Sequence, residues 1–118
     1  DEVMAGLLHD ATEAYLVDVP RPVKPFLPGY KEAEAAVWQA VATRFELPVE
    51  MPAIVKEVDS RIIGDERANM RPCAADWYAT GEPLGIELQY WSPAEAEARF
   101  LDRFRTVERA RQRIRRAA

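Results

Sequence analysis

An all-α architecture, a bundle of four to five helices, is the fold this sequence predicts. Apolar residues recur at helical spacing in four segments. Each of those segments also carries its own start or stop signal. The 118 residues and 48% apolar content suffice for a single domain over 1–118, built around one core.

The first helix is expected over 1–16. Val3, Met4, Leu7, Leu8, Ala11 and Tyr15 give it an apolar face. Residues 17–29 cannot continue it, because Pro20, Pro22, Pro25 and Pro28 with Gly29 force an extended or turning path. This proline-stiffened loop carries Asp18, Arg21 and Lys24, and a stiff loop holds side chains at little entropic cost. A second helix runs over about 30–46, with Ala33, Val37, Trp38, Val41 and Phe45 as its stripe and Lys31, Glu32 and Glu34 in its first turn. Leu47-Pro48 ends it.

The third helix is expected over 52–70, with Pro52 suited to its first turn. Ile54, Val55, Val58, Ile62 and Ile63 sweep about 180° of its circumference, and Asp59 lies inside that arc. Glu66 falls in the same arc and is expected to pair with Arg67 or Arg71. Residues 71–91 are irregular, with a short extended stretch at 85–90 from the alternation of Leu84, Ile86 and Leu88. Trp77, Tyr78 and Trp91 are expected to cover the core. Ser92-Pro93-Ala94-Glu95 is a helix start, with Ser as N-cap, Pro at N1 and Glu at N3, and it opens a last helix over 92–115. Its end, 108–118, is arginine-rich. From Arg103 onward there are seven arginines and one acid, and Arg109, Arg111, Arg113, Arg115 and Arg116 wrap around the helix, as a solvated and frayed tail would.

Composition excludes several function classes. A net charge of −4 exerts no global pull toward nucleic acid, so no nucleic-acid partner is expected. The single cysteine, Cys73, rules out an intrachain disulfide and any multi-cysteine zinc site, and it fits a reducing, cytoplasmic setting. No apolar run approaches the roughly 20 residues of a spanning helix, so no membrane is expected. Nothing resembles a phosphate-binding glycine loop or a dinucleotide fingerprint. Residue 1 is Asp and the helical pattern is already running by Val3, so the chain is expected to lack one or more helices upstream.

Chemistry concentrates in Leu7-Leu8-His9-Asp10-Ala11-Thr12-Glu13. His9 is the one histidine of the chain. On a helix, His9, Asp10 and Glu13 fall within about 100°. Carboxylates crowded in this way repel unless a proton or cation lies between them. A divalent metal of borderline softness (Zn, Co, Mn or Fe) resolves that conflict. The competing reading is a helix-end histidine bonded to its neighbour, with no metal. For Asp59 the readings are a metal ligand, a buried Arg–Asp pair, or a cap on a nearby helix end.

A His-Asp pair on one helix and a buried Asp on a later one resemble the HD-domain metal-dependent phosphohydrolases. Leu7 to Leu16 followed by Asp18-Val19-Pro20-Arg21-Pro22-Val23-Lys24 resembles the small 5′-deoxynucleotidase and phage dATP triphosphohydrolase group in particular. Val55 to Asp59 resembles the later Asp motif, and Trp91-Ser92-Pro93 also looks familial. The resemblance spans about residues 1–107. It implies an HD-like helical bundle, with His9, Asp10 and Asp59 as ligands of a divalent metal ion. It further implies Glu13 orienting or activating water, Asp18 as the second acid near the scissile phosphate, and Lys24, with Arg21, facing phosphate. The family holds its metal with one more histidine on an earlier helix, which this chain does not contain.

The expected function is metal-dependent hydrolysis of a phosphate ester on a deoxynucleotide substrate. The alternatives are a degenerate, non-catalytic HD-like module that binds a nucleotide or protein partner, and a purely structural helical domain. An apolar groove left open by an absent helix favours association as a homodimer.

Overall fold

The computed structural model describes residues 1–69 and 81–117. They form an all-α bundle: α1 (Glu2–Leu8), α2 (Glu13–Leu16), α3 (Tyr30–Phe45), α4 (Ala53–Asn69) and α5 (Pro93–Ala117), with one 3-10 turn at Lys24–Phe26. No strand occurs among the described residues. The expectations placed on Met70, Arg71, Cys73, Trp77 and Tyr78 lie outside them.

The expected helix over 1–16 is divided in two. The Ala11 N–H donates to the Leu8 carbonyl and the Glu13 N–H to the Asp10 carbonyl, both at 2.9 Å, so three-residue bonds replace the α-helical ones. His9 and Thr12 keep right-handed helical dihedrals, so the path tightens without reversing. The reason is local competition. His9 Nδ1 donates to the Gly6 carbonyl at 2.8 Å, and Asp and Thr side chains generally favour turns over helix interiors.

α1 packs between α4 and α5, while α2 leans on α3. Met4 and Leu8 of α1 meet Trp38, Ala42, Leu47 and Val107 in the core. Val3 and Tyr15, expected on the apolar face, are 56% and 74% exposed: Val3 walls an open groove beside α4, and Tyr15 lies beyond the tightened turn. Trp38 satisfies its indole N–H on the Val49 carbonyl at 2.7 Å. Phe45 meets Phe104 edge to face, with centroids 5.6 Å apart.

The end of α3 follows from Glu46-Leu47-Pro48. Glu46 takes the left-handed conformation (φ 52°), its N–H reaches back to Thr43, and the Leu47 N–H donates to the Ala42 carbonyl at 2.8 Å. The buried Leu47 side chain and the following proline complete this helix stop. At the start of α5, the Glu95 N–H donates to Ser92 Oγ at 3.3 Å, as the Ser-Pro-Ala-Glu signature predicts.

Two departures from expectation concern charged side chains. Arg111 is not part of a solvated tail. It is 6% exposed, and its guanidinium donates to Asp1 Oδ1 (2.9 Å), the Phe45 carbonyl (2.9 Å), the Glu46 carbonyl (3.1 Å) and Glu108 (3.5 Å). It satisfies orphan carbonyls at the end of α3 and ties them to the first residue of the chain. α5 stays helical through Ala117 instead of fraying. Trp91, expected in the core, is 45% exposed and stacks under the Arg99 guanidinium at 4.5 Å.

The second departure is Asp65. The stretch at 85–90 finds no strand partner. Instead the N–H groups of Leu84, Gly85 and Ile86 donate to the Asp65 carboxylate at 2.7, 2.8 and 2.9 Å. Gly85, at φ 76°, supplies the left-handed residue that turns consecutive N–H groups toward one anion. Gly64 allows the approach, because a Cβ there would meet Pro83 at 2.9 Å. Burial pushes the Asp65 carboxyl up, but the Leu84, Ile86 and Gly85 N–H groups outweigh it and hold the carboxyl below its ordinary value.

The packing sets the outcome of three substitutions. Arg111→Ala should cost about 2–3 kcal/mol in urea unfolding, the scale of losing charge-assisted bonds and orphaning buried acceptors. Arg115→Ala should cost under about 0.5 kcal/mol, because its bond to Glu46 is exposed. Asp65→Ala should lower the urea midpoint and speed amide exchange at Leu84 to Ile86. Because the folded carboxyl is lowered, the stability Asp65 contributes is present above the unfolded value and is lost as pH falls through the folded one. The gap between wild type and Asp65→Ala should therefore close in acid.

Candidate functional site

The tightened turn after α1 places His9 and Asp10 against α4. The His9 Nδ1–H is committed to the Gly6 carbonyl, so in the neutral ring Nε2 carries the lone pair. That nitrogen lies 3.1 Å from Asp10 Oδ2 and 3.7 Å from Asp59 Oδ1. A backbone carbonyl fixing one ring nitrogen while the other faces carboxylates is the usual arrangement of a metal-binding histidine. The structure thus brings together the three residues singled out as candidate ligands.

Asp59 is not enclosed, with 38% of its side chain exposed, and its second oxygen receives Arg21 Nη2 at 3.2 Å. Two of the readings open for it therefore coexist: it is paired to an arginine and it faces His9. Among the described residues, no three His, Cys, Asp or Glu side chains converge as a formed metal site. The donor set itself, one imidazole lone pair and two carboxylates, fits a borderline divalent cation but is one ligand short of a structural tetrahedral shell.

His9 and Asp10 stand on a ridge between two hollows. On one side is a groove of about 440 Å³ between α1 and α4, walled by Val3, Ile54, Val58 and Ile62 with Asp59 and Glu66 at its polar edge. Ile54 and Val58 are 46% and 40% exposed, so the apolar arc of α4 is left largely uncovered. On the other side is a polar cavity of about 290 Å³, where Glu13, Lys24, Lys31 and Glu34 join His9 and Asp10.

The proline loop delivers Lys24 to that cavity but not as a free cation. Its Nζ bonds Glu34 Oε1 at 2.7 Å and lies 5.5 Å from the Tyr30 ring centre. The Glu34 hydrogen bond raises the Lys24 ammonium above its ordinary value, against the opposing effect of burial. Lys31 lines the same cavity with no partner among the described residues. Sequence reasoning placed Lys31 and Glu34 only in a helix's first turn. Their spacing of three put them on one face, but nothing in the sequence said that face looks at the loop.

Asp18 does not line the cavity; it acts through Glu13. Burial raises the Glu13 carboxyl, and Asp10 and Asp18 raise it further by repulsion, with a proton shared toward Asp18 and Lys24 opposing. Val17, just before Asp18, holds φ 67°, a strained conformation for a β-branched residue, and the Tyr30 hydroxyl donates to its carbonyl at 2.9 Å. The strain re-aims the chain from α2 into the loop, and α3 holds it there.

Because the folded Glu13 carboxyl is raised, its contribution to stability is complete below the unfolded value and is lost as pH rises through the folded one. Glu13→Gln should therefore be more stable than wild type near neutrality, with the difference shrinking toward pH ~4. Urea midpoints at the two pH values check this, and equal differences at both would contradict the assigned environment.

Comparison with known proteins gives two relatives of similar sequence. The chain is 29% identical over 111 residues to "Uncharacterized protein YfdR" of Escherichia coli strain K12, covering 91% of this chain and 62% of that protein. It is 31% identical over 119 residues to "Uncharacterized protein RCAP_rcc00048" of Rhodobacter capsulatus, covering 91% and 61%. No protein-family profile matches the chain, and no solved structure matches it. The chain thus spans about three-fifths of the length of the curated relatives it matches.

Proposed function

We propose that this chain belongs to an HD-type, metal-dependent phosphohydrolase acting in the cytoplasm on deoxynucleotides. The observation that carries the reading is the His9 tautomer: Nδ1 tied to the Gly6 carbonyl, Nε2 facing Asp10 and Asp59. His9, Asp10 and Asp59 would hold a divalent ion (Zn, Co, Mn or Fe), which when bound polarises phosphoryl oxygens and acidifies water. A further histidine from an additional helix would complete the set. The groove between α1 and α4 leaves the apolar arc of α4 uncovered, where such a helix, or a second copy in a homodimer, would lie, and the curated relatives are longer than the matched region.

The chain's own residues supply the rest. Glu13 lines the polar cavity beside His9 and accepts the proton of the attacking water. Its raised carboxyl moves it toward the working pH of a general base. Asp18, expected as the second acid near the leaving oxygen, lies off the cavity and acts on Glu13, helping to keep its carboxyl raised. Lys24 and Lys31 counter phosphate charge in the cavity, and Arg21 is held on Asp59.

The Arg21–Asp59 contact favours a second reading. An arginine on a ligand carboxylate already neutralises it, as a non-catalytic module binding a nucleotide or protein partner would require. Phosphate release from deoxynucleoside mono- and triphosphates with added Co, Mn or Zn separates the two readings. It is to be measured on the chain alone and with a histidine-bearing helix supplied upstream. Glu13→Ala should cut turnover by about 10²–10⁴ while leaving metal binding unchanged. Lys24→Ala should chiefly weaken substrate binding. Full turnover in Glu13→Ala would overturn the assigned chemistry. No release from any substrate by the extended wild type would leave the binding module.

A further inference from the structure

No nucleic-acid partner was expected from a net charge of −4, and the arginines of the last helix read as a solvated tail wrapped around its circumference. The structure removes two of them from that count. Arg111 points into the core, and Arg115 bonds Glu46 at 2.9 Å. Arg99, further up the helix, is held by Glu95 and Trp91. Of the five that remain from Arg103 onward, Arg103 lies about 80° to one side and the other four form a stripe. Arg105, Arg109, Arg113 and Arg116 fall within about 80° of one another on α5, on the side opposite Arg111. All four are exposed, and none has a partner among the described residues.

This stripe is a liability for the isolated chain. Like charges at i, i+4 spacing repel along Arg105, Arg109 and Arg113. The helix dipole compensates cations only within its last turn, so Arg105 and Arg109 gain nothing from it, and Asp102 is the acid in line with this face, a turn before Arg105. We infer that the Arg105–Arg109–Arg113–Arg116 face of α5 binds the phosphate backbone of a nucleic acid. Its four guanidiniums spread over about 17 Å of a straight helix, giving repeated bidentate donors in a line.

Charge chemistry selects this occupant over two others. A lipid surface needs apolar residues among the cations, whereas the arc from Arg105 to Arg116 carries none: Phe104 and Val107 turn toward the core, exposed Leu101 lies a turn before the arc and exposed Ile114 about 100° to its side. An acidic protein partner needs a buried aromatic or aliphatic anchor at the centre of its contact, and this arc contains none. Phosphate contact needs only the guanidiniums, and it carries no base readout, so the binding is sequence-independent.

Fluorescence anisotropy of a labelled mixed-sequence DNA duplex and its single strand tests this on the whole chain. With four phosphates neutralised, duplex affinity should fall about 150-fold between roughly 50 and 200 mM salt, and single-strand affinity about 50-fold. Arg109→Ala with Arg113→Ala should weaken binding at low salt and reduce the duplex salt loss to about 12-fold, since two contacts remain. Arg99→Ala should change neither quantity. Matching thermal unfolding of the double variant excludes a folding defect, because both side chains are exposed. Absence of binding at low salt, or an unchanged salt slope in the double variant, would overturn the inference. So would equal competition by polyglutamate, which would assign the face to an acidic protein, or tighter binding to phosphatidylserine vesicles, which would assign it to a membrane surface.

Discussion

The bundle hangs on one buried cation. Arg111 sits where the start of α1, the end of α3 and the last third of α5 converge, and its donors are divided among all three. A guanidinium in that position must be satisfied nearly completely, or burial would make it costly. The orphan carbonyls of Phe45 and Glu46 meet that need, and they exist because Glu46 turns left-handed and ends the helix. The helix stop, the hydrogen bonds and the core residues Met4, Leu8, Ala42 and Val107 are therefore one arrangement. Once α1 is clamped at its first residue, its far end is held against α4, and that is where His9 and Asp10 emerge.

The candidate site is built on unresolved electrostatic tension. Asp10 and Asp59 face one imidazole, Glu13 lines the cavity beside it and is itself repelled by Asp10 and Asp18, and the nearby cations are already engaged: Arg21 on Asp59, Lys24 on Glu34. The raised Glu13 carboxyl is the residue of that crowding, with burial its largest cause. A proton relieves part of the tension, and a divalent ion would relieve more. The proline loop and the strained Val17 keep the acids from simply moving apart. A crowded, rigid cluster of this kind differs from a structural ion-pair network, which would have relaxed until its charges were paired.

Asp59 and Asp65 show how environment assigns roles to identical side chains six residues apart. Asp65 is buried and takes three backbone N–H groups from one glycine-centred turn, so it is fully occupied in holding residues 82–86 to α4. Arg61 assists by donating to the Glu82 carbonyl at 2.8 Å. Asp59, nearly two turns earlier, retains an oxygen directed at His9. The first is a structural anion in a backbone nest; the second is available for chemistry.

Helix positions could be read from the chain without a structure, because amphipathic spacing and local stop signals act over a few residues. Leu47-Pro48 and Ser92-Pro93-Ala94-Glu95 mark their boundaries correctly for that reason. The meeting of His9 with Asp10 was equally legible, being one residue apart, and the apolar arc around Asp59 marked it as unusual. Other features depended on contacts far apart in sequence, which no window of residues contains. The break between α1 and α2 is local by contrast, a histidine ring competing for a carbonyl three residues back, which apolar spacing alone does not register. The inward turn of Arg111 depends on carbonyls more than sixty residues away. The capture of residues 84–86 by Asp65 spans about twenty residues. The arginines of α5 illustrate the division best: their number and spacing were written in the chain, but which faced the core and which faced water was decided by packing alone.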